Sequence, residues 1–354
     1  MLNANALQVY LIGRPLSGKT TTFHALTGGD GEGHRRVTDV PDPRLDYLFD
    51  VFQPRRRTPA EIIFCDIFAL KAAELTGRQA DRFTAALGDA DMLAVVINCF
   101  DEVAPDGRPA DPVHDLDAVV LELVVADLSA VERRLERVAK DVKRGLKEAI
   151  REQELLQRCL PTLEAEQPLS VLGLTAEEQR LLRSLALISL KPALVLANVG
   201  EAPAGEAPPA ALATYAQSKG LRLVSFCAQL EAEIAGLEPT EQAAFLADYG
   251  IAEPATPRVI RACYETLDLI SFLTAGGPDE VRAWAVPRDC RAQTAAGSIH
   301  SDLERGFIRA ETVNYEEFSQ HGSFEACRRA GVLRLEGKDY AVQDGDIITF
   351  RFNV

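Results

Sequence analysis

Short apolar runs alternate with longer stretches of helical character along the first two thirds of the chain. The runs are rich in Val, Ile and Leu, and they cover residues 7–12, 61–66, 91–98, 191–198 and 221–227. Buried strands of this kind, separated by helices, are typical of a parallel sheet. We therefore predict an α/β fold with a doubly wound sheet. In such a sheet, ligands bind at the carboxyl ends of the strands.

A long helical pattern interrupts this alternation between the third and fourth strands. Residues 129–164 form a nearly unbroken run of helix formers, and Pro161 and Pro168 are predicted to close it. Its apolar stripe has a 4-3-4 spacing over Val131, Leu135, Val138 and Val142, and it continues through Leu146 and Ile150. The segment Thr175–Glu178 has the pattern of a capping box for a return helix. We predict an inserted α-helical coiled-coil arm at 115–187, with the apolar stripe as its own seam.

The pattern changes again from about Gly276, where short strands and turns replace the alternation. The predicted strands cover 281–286, 307–315, 340–342 and 347–352, and Asp344-Gly345 is a hairpin-turn signal. Three domains follow from these patterns. Residues 1–114 and 188–275 form the first, the inserted arm at 115–187 is the second, and a small domain at 276–354 is the third.

A phosphate-binding motif follows the first strand directly. Residues 13–20 read Gly-Arg-Pro-Leu-Ser-Gly-Lys-Thr, which fits GxxxxGK[ST] between a strand and a helix. Gly13 and Gly18 allow the backbone N–H groups to surround an anion, and Lys19 can reach the β- and γ-phosphates. The residues predicted to contact the nucleotide here are Gly13, Arg14, Pro15, Leu16, Ser17, Gly18, Lys19, Thr20 and Thr21. An ordinary glycine-rich turn is the alternative.

The second apolar run ends in an acid that completes a metal site. Asp66 stands at the end of 61–66, where P-loop proteins hold Mg²⁺ through water, and the Thr20 hydroxyl faces the same ion. The sequence thus predicts Mg²⁺ as the cofactor, with Thr20 and Asp66 as its protein ligands. A strand that ends in Asp is common, so the prediction depends on the P-loop before it.

Composition narrows the class of protein further. The chain has 354 residues and a net charge of −15, so indiscriminate coating of nucleic acid is not expected. The sequence holds neither an apolar run near the roughly 18 residues of a membrane span nor a visible signal peptide. The seven cysteines are scattered and never spaced as CxxC. We therefore expect a cytoplasmic protein without a membrane partner, a zinc site or disulfides.

One segment of this acidic chain is basic. Residues 133–151 contain eight Lys or Arg and three acids, a local balance of +5. Such a segment is usually a solvated helix face. It can also contact phosphates, so an RNA contact through the arm stays open.

Several stretches resemble one family. They are residues 40–46, 190–192, 197–201, 281–284, 306–311, 336–340, 342–346 and 350–354. Together with the P-loop they are similar to the YchF/Obg-like ATPases, from residue 7 to the end of the chain. The resemblance implies a P-loop domain, a coiled-coil insertion, and a C-terminal α+β β-grasp (TGS) domain that binds protein or RNA. It also makes a contact between the basic arm and ribosomes plausible.

The resemblance also implies where the base lies. Most relatives in the wider superfamily carry Asn-Lys-x-Asp, whose Asp reads guanine, whereas this family carries Asn-x-x-Glu and accepts ATP. The loop here is Asn198-Val199-Gly200-Glu201, so ATP is favoured over GTP. Asn198, Val199 and Glu201, with Cys227, Ala228 and Gln229 of the next family loop, are the predicted base-side residues. A plain turn role for Asn198 is the alternative.

Three departures from related enzymes bear on hydrolysis. Ala69 replaces the Gly of the family's Asp-x-x-Gly, which restricts the backbone there. The first switch is shortened, and Thr38 is its only nearby Thr, with a turn cap as the simpler role for that residue. Leu70 stands where Ras-like enzymes have a water-orienting Gln. Hence no catalytic base is assigned, and hydrolysis is expected to be slow.

The leading hypothesis is a YchF-type protein that binds Mg·ATP, hydrolyses it slowly, and acts as a switch linked to translation and the ribosome. A nucleotide-binding adaptor with little or no hydrolysis is the first alternative. A GTP-preferring GTPase is the second. A small-molecule kinase also has a P-loop, but the Asn198-x-x-Glu201 loop and the C-terminal domain argue against it.

Overall fold

The computed structural model describes residues 6–28, 33–67, 85–101, 103, 107, 109–201 and 207–353. Contacts between residues divide the chain into two compact units, and each unit combines separate stretches of sequence. One unit holds 8–36 and 64–262. The other holds 37–63 and 263–354, with the first residues up to Leu7. The division into three domains given above stays a prediction.

Most predicted strands are present, and those at 35–39, 56–58, 269–274 and 334–336 were not predicted. The predicted strand at 340–342 is wrong, because Ala341 makes only an isolated bridge with Arg291. The strands are β1 (Leu7–Ile12), β2 (Arg35–Asp39), β3 (Arg56–Thr58), β4 (Glu61–Asp66), β5 (Met92–Cys99), β6 (Ala193–Val199), β7 (Arg222–Phe226), β8 (Leu269–Thr274), β9 (Glu280–Pro287), β10 (Phe307–Asn314), β11 (Arg334–Glu336) and β12 (Asp346–Phe352). A six-stranded sheet has the order β2-β4-β1-β5-β6-β7. Its β1–β5, β5–β6 and β6–β7 pairs are parallel, as predicted. Every residue of β1 is buried, which explains why all of its residues except Gln8 are apolar or aromatic.

The helices follow in chain order. They are α1 (Lys19–Leu26), α2 (Pro43–Phe52), α3 (Pro112–Val142), α4 (Lys147–Glu164), α5 (Ala176–Leu182), α6 (Ala210–Ser218), α7 (Ala228–Ala235), α8 (Pro239–Asp248), α9 (Ala255–Thr266), α10 (Ala292–Ile299), α11 (Ser301–Arg305), α12 (Tyr315–His321) and α13 (Phe324–Ala330). Among the residues just defined as described, no helix is both long enough and apolar enough to cross a membrane. The seven cysteines are free.

Helices α3 and α4 form the predicted helical arm. Val131 and Val138 are buried in its core, and Leu135 and Val142 pack against that core, so these four positions form an internal seam as predicted. Arg134 of α3 donates two hydrogen bonds to the Glu152 carboxylate of α4, at 2.6 and 2.7 Å. The capping box is confirmed as well, because Thr175 and Glu178 exchange both of its hydrogen bonds at the start of α5.

Two details of the predicted arm are wrong. The seam does not continue through Leu146 and Ile150, because both side chains are exposed at the turn between the two helices. Pro161 does not close the helical stretch either, since it lies inside α4, which ends at Glu164. The spacing of apolar residues in one helix shows which face of that helix is apolar. It does not show where the partner helix begins or ends.

A buried carboxylate joins the arm to the chain that leads into β6. Asp127 of α3 is fully buried and accepts hydrogen bonds from Ile188 N, Ser189 N and the Ser189 hydroxyl, at 2.8, 2.7 and 2.6 Å. Burial raises the pKa of Asp127, whereas these hydrogen bonds lower it. Burial has the larger effect, so the pKa is raised to about 6.

The second sheet lies in the other unit and has the order β11-β10-β12-β8-β9-β3. Its C-terminal strands begin with β8 at Leu269, whereas short strands were predicted from about Gly276. Asp344-Gly345 is not a hairpin turn, because β12, which follows it, pairs with β10 and β8, and β11 pairs only with β10 among the described strands. Instead, the Asp344 carboxylate accepts a hydrogen bond from Ser271 N at 2.9 Å.

Residues 37–63 complete this second unit. Strand β3 pairs in parallel with β9, with Arg56 opposite Glu280. Phe52 at the end of α2 lies against Phe318 and Phe324, with ring centroids 5.6 and 5.5 Å apart. A short excursion from the early part of the chain therefore supplies a strand and a helix to the C-terminal fold.

Candidate nucleotide-binding site

The loop between β1 and α1 has the backbone that its glycines predict. A Cβ on Gly13 would overlap the carbonyl oxygen of Val96, and a Cβ on Gly18 would overlap the side chain of Asn198. Gly18 also has a positive φ of 81° at the start of α1. Both positions therefore require glycine, one for close approach and one for the left-handed turn that opens the helix.

Lys19 is a buried cation at this helix start. The residue is only 8% exposed, and its side chain makes no hydrogen bond with any described residue. Burial lowers the pKa of Lys19, and the negative charge of Asp66 opposes that shift. A desolvated ammonium without a hydrogen-bonded partner fits an anionic ligand such as a phosphate.

The two predicted magnesium ligands lie together. The Thr20 hydroxyl donates a hydrogen bond to Asp66 Oδ2 at 2.8 Å, and Asp66 stands at the end of β4. A hydroxyl and a carboxylate in contact beside a P-loop are the oxygen donors that Mg²⁺ prefers. These two residues therefore fit a magnesium ion bound with a nucleotide.

Asn198 connects the P-loop to the predicted base side. Its amide Nδ2 donates to Ser17 O at 3.2 Å, and its Oδ1 accepts from Ala228 N at 3.0 Å. The side chain is buried, so both contacts are shielded from water. Asn198 thus holds the phosphate loop and the start of α7 in a fixed relation, which a plain turn residue would not do.

Phe100 is a candidate site residue that sequence reasoning missed. It is 42% exposed, and its ring lies 3.6 Å from where a Gly18 Cβ would stand. The turn that carries it is held by Asn98, whose Oδ1 accepts from Phe100 N at 3.1 Å and Asp101 N at 3.2 Å. No motif marks an aromatic residue two positions after a strand-ending Asn, so only its place after β5 could have indicated it.

The remaining predicted residues are distributed around this core. Thr20, Thr21 and Gln229 line one open cavity of about 670 Å³ between α1 and α7. Val199 and Cys227 are buried at the ends of β6 and β7, and Glu201 is exposed. Gln229 donates to Glu233 at 2.8 Å.

The side chains of Arg14, Pro15 and Leu16 in the P-loop do not line the cavity between α1 and α7. Pro15 and Leu16 are exposed, and Leu16 has a positive φ of 64°. Arg14 donates to the Asp115 carboxylate at 2.5 Å, and Asp115 belongs to the first turn of α3. The P-loop is therefore tied by an ion pair to the helix that runs into the arm.

Of the three residues predicted to bear on hydrolysis, the structure describes only Thr38. Ala69 and Leu70 are not among the described residues. Thr38 lies inside strand β2, so it does not cap a turn, and the structure assigns it no place in a switch loop.

The sheet with its parallel pairs, the P-loop and the hydrogen-bonded Thr20–Asp66 pair define a P-loop nucleotide-binding protein of the α/β class. Comparisons with known proteins make the class more specific. A family model described as "Protein of unknown function (DUF933)", the YchF-GTPase C-terminal family, matches residues 269–353. The chain belongs to the YchF family.

Curated relatives support this over the full length. The chain is 37% identical to "Ribosome-binding ATPase YchF" of Bacillus subtilis, covering 99% of this chain and 100% of that protein. It is 39% identical to the protein of the same name from Haemophilus influenzae, covering 97% and 98%. The solved structure of the Schizosaccharomyces pombe YchF GTPase is similar with a TM-score of 0.81, at 26% identity over 98% of each chain.

Proposed function

We propose that this protein binds Mg·ATP at the P-loop, hydrolyses it slowly, and serves as a nucleotide-dependent switch at the ribosome. The observation that carries the proposal is the buried Lys19, which makes no hydrogen bond with a residue that the structure describes, beside the hydrogen-bonded Thr20–Asp66 pair. When bound, Mg²⁺ would neutralise phosphate charge and orient the β- and γ-phosphates. Lys19 would hold the phosphates, and Thr20 and Asp66 would hold the ion.

The base would lie beside Phe100 and the loop of Asn198–Glu201. An exposed aromatic ring next to the P-loop offers a stacking surface for a purine. Glu201 occupies the position of the Asp that reads guanine in related proteins. Its carboxylate can accept a hydrogen bond from the adenine amino group. ATP is therefore proposed as the preferred nucleotide, with a GTP-preferring enzyme as the alternative.

Slow turnover is proposed because the sequence position that carries the water-orienting Gln in Ras-like enzymes has no polar side chain here. Leu70 occupies that position. An adaptor with little or no hydrolysis is the second candidate, favoured by the placement of Thr38 in β2.

Ribosome binding is proposed from the names of the relatives and from the basic arm. The arm and the C-terminal TGS-like domain would contact the ribosome, while the scattered free cysteines fit work in a reducing cytoplasm. We propose the three domains of the sequence analysis as the functional parts of this switch.

Two measurements test the proposal. ATP and GTP titrations with and without Mg²⁺ should give a lower Kd for Mg·ATP than for Mg·GTP. Phosphate release under single-turnover conditions should be slow in the natural protein and absent in Lys19→Ala. Tighter binding of GTP would favour the GTPase, and equal phosphate release in both proteins would favour the adaptor.

A further inference from the structure

The turn that joins α3 to α4 exposes two aliphatic side chains. Leu146 is 52% exposed and Ile150 is 37% exposed, although both continue the spacing of the buried seam. Leu146 is the N-cap residue of α4 and Ile150 lies in its first turn, where Ile150 N donates a hydrogen bond to Leu146 O at 3.1 Å, so the two residues are neighbours. We call these two residues and the adjacent Lys143 and Lys147 the arm tip.

The arm tip breaks two rules of helix formation at one place. Leu146 occupies the N-cap of α4 and makes no side-chain cap hydrogen bond, where Ser, Thr, Asp or Asn is preferred. Lys147 follows at the first helical position, where the helix dipole disfavours a positive charge. Residues that violate local preferences without a packing reason are expected where function selects them.

Only some of the cations near the arm tip form ion pairs within the arm. Arg134 pairs with Glu152, Arg144 with Asp141 at 3.3 Å, and Arg151 approaches Glu177 at 3.8 Å. Four more cations form no ion pair with a residue that the structure describes; they are Arg137, Lys140, Lys143 and Lys147. All four are exposed. The arm tip thus combines an apolar pair with available positive charge.

We infer that the arm tip is a docking surface for an acidic protein segment that carries apolar side chains. Positive charge around an apolar centre complements such a segment, because the charges steer the encounter and the aliphatic contact holds it. RNA is the less suited partner, since single-stranded bases are recognised mainly by stacking on aromatic or Arg side chains, and Leu146 and Ile150 offer neither. The inference rests on the proposed ribosome binding, and it names the partner chemistry for one part of that contact.

The experiment compares ribosome binding by three forms of the full-length protein. Leu146→Ser with Ile150→Gln removes the apolar pair, and Ser is a better N-cap than Leu, so the arm should fold at least as well. Val171→Ser is the control, because Val171 is another exposed aliphatic residue of the same unit. Sedimentation with purified ribosomes in Mg·ATP should show about tenfold weaker binding for the double variant and no change for the control.

A photo-crosslinking amino acid at position 146 identifies the partner. The adduct should lie on a ribosomal protein and survive ribonuclease. An adduct on RNA would overturn the inference, as would a double variant that binds as tightly as the natural protein. If the natural protein itself did not bind ribosomes, the proposed function would be wrong, and the inference would be wrong with it.

Discussion

Arg44 and Asp344 form an ion pair although 300 residues of sequence separate them. The Arg44 Nη1 atom lies 2.7 Å from Asp344 Oδ2, and the same guanidinium donates to both oxygens of Asp42 at 2.9 Å. Asp42 is buried and caps α2 by accepting from Arg44 N. Burial alone would lower the pKa of Arg44, but its two carboxylate partners outweigh that effect and raise it. One side chain therefore fixes the start of α2 to the second sheet.

Loss of this cation should destabilise the second unit. Arg44→Met would leave the buried Asp42 carboxylate without its partner, so we expect a loss of about 2–4 kcal/mol in the free energy of unfolding, measured by urea denaturation. Arg55→Met is the matched control, because the Arg55–Asp279 pair is exposed at 3.5 Å and should contribute below about 1 kcal/mol. Equal effects of the two changes would contradict a structural role for Arg44.

Replacement of Lys19 should weaken ATP binding without destabilising the fold. Lys19→Ala removes the cation that would meet the phosphates, and we expect ATP affinity to fall by roughly 100-fold or more, as measured by calorimetry. Since burial of this ammonium lowers its pKa, its charge is costly in the empty protein, so the variant should unfold no more easily than the natural chain. Lys140→Ala, at an exposed arm position, should change neither quantity. An unchanged ATP Kd in Lys19→Ala would refute the P-loop assignment.

The base-side loop should set nucleotide preference. Glu201→Asp together with Val199→Lys restores Asn-Lys-x-Asp, whose Asp meets two guanine donors, so the ratio of ATP to GTP affinity should fall about tenfold or more. Val199 is buried at the end of β6, and the Lys stem must extend along apolar surface to bring its ammonium to water. Glu201→Asp alone controls for that cost. If the ratio of ATP to GTP affinity is unchanged in both variants, the Cys227–Gln229 loop would be the next candidate for recognising the base.

Leu16 should be replaceable with a gain in stability. It is a non-glycine residue with φ of 64°, and its side chain is 69% exposed, so little packing compensates the left-handed backbone. Asn adopts this conformation more readily, and Leu16→Asn is expected to raise the free energy of unfolding by about 0.5–1 kcal/mol. Thermal melts with and without ATP measure both stability and retained binding. A lower melting temperature for the empty variant would show that Leu16 makes contacts that outweigh its strain.

Asp127 should make stability depend on pH. Its pKa is about 6 in the folded protein against 3.8 for the ordinary group, so the folded state binds the proton more tightly than the unfolded state. Its contribution is therefore most favourable below about pH 4 and is lost as the pH rises to about 6. The difference in unfolding free energy between the natural protein and Asp127→Asn should fall by about 3 kcal/mol over this window. A constant difference would mean that the three hydrogen bonds keep the carboxylate ionised throughout.

The sequence predicted the parts of the fold that local pattern determines. Strands β1 and β4 match the predicted residues because each is a short, mainly apolar run; Gly13 follows β1, and Glu61 and Asp66 are the polar ends of β4. The P-loop, with Lys19 and the Thr20–Asp66 pair, follows from fixed spacing after such a strand. These features need no knowledge of distant contacts.

Features that depend on distant parts of the chain were missed. Strand β3 reads Arg56-Arg57-Thr58, which carries no strand signal, and it exists because β9 provides a sheet edge for it. Phe100 is placed by the Asn98 turn rather than by a motif. The exposure of Leu146 depends on where α4 begins, and the apolar spacing of α3 contains no information on that point.

The strand pairing of β3 with β9 also has a consequence for synthesis. Arg56 leaves the ribosome 224 residues before its partner Glu280, so residues 37–63 wait for the C-terminal part of the chain before they can pair. At about 5–20 residues per second, that delay lasts roughly 10–45 s. During it, Phe52 has neither Phe318 nor Phe324 to cover it. The newly made chain thus carries an exposed apolar segment until the residues that cover it have been made, a period in which a holding chaperone would have something to bind.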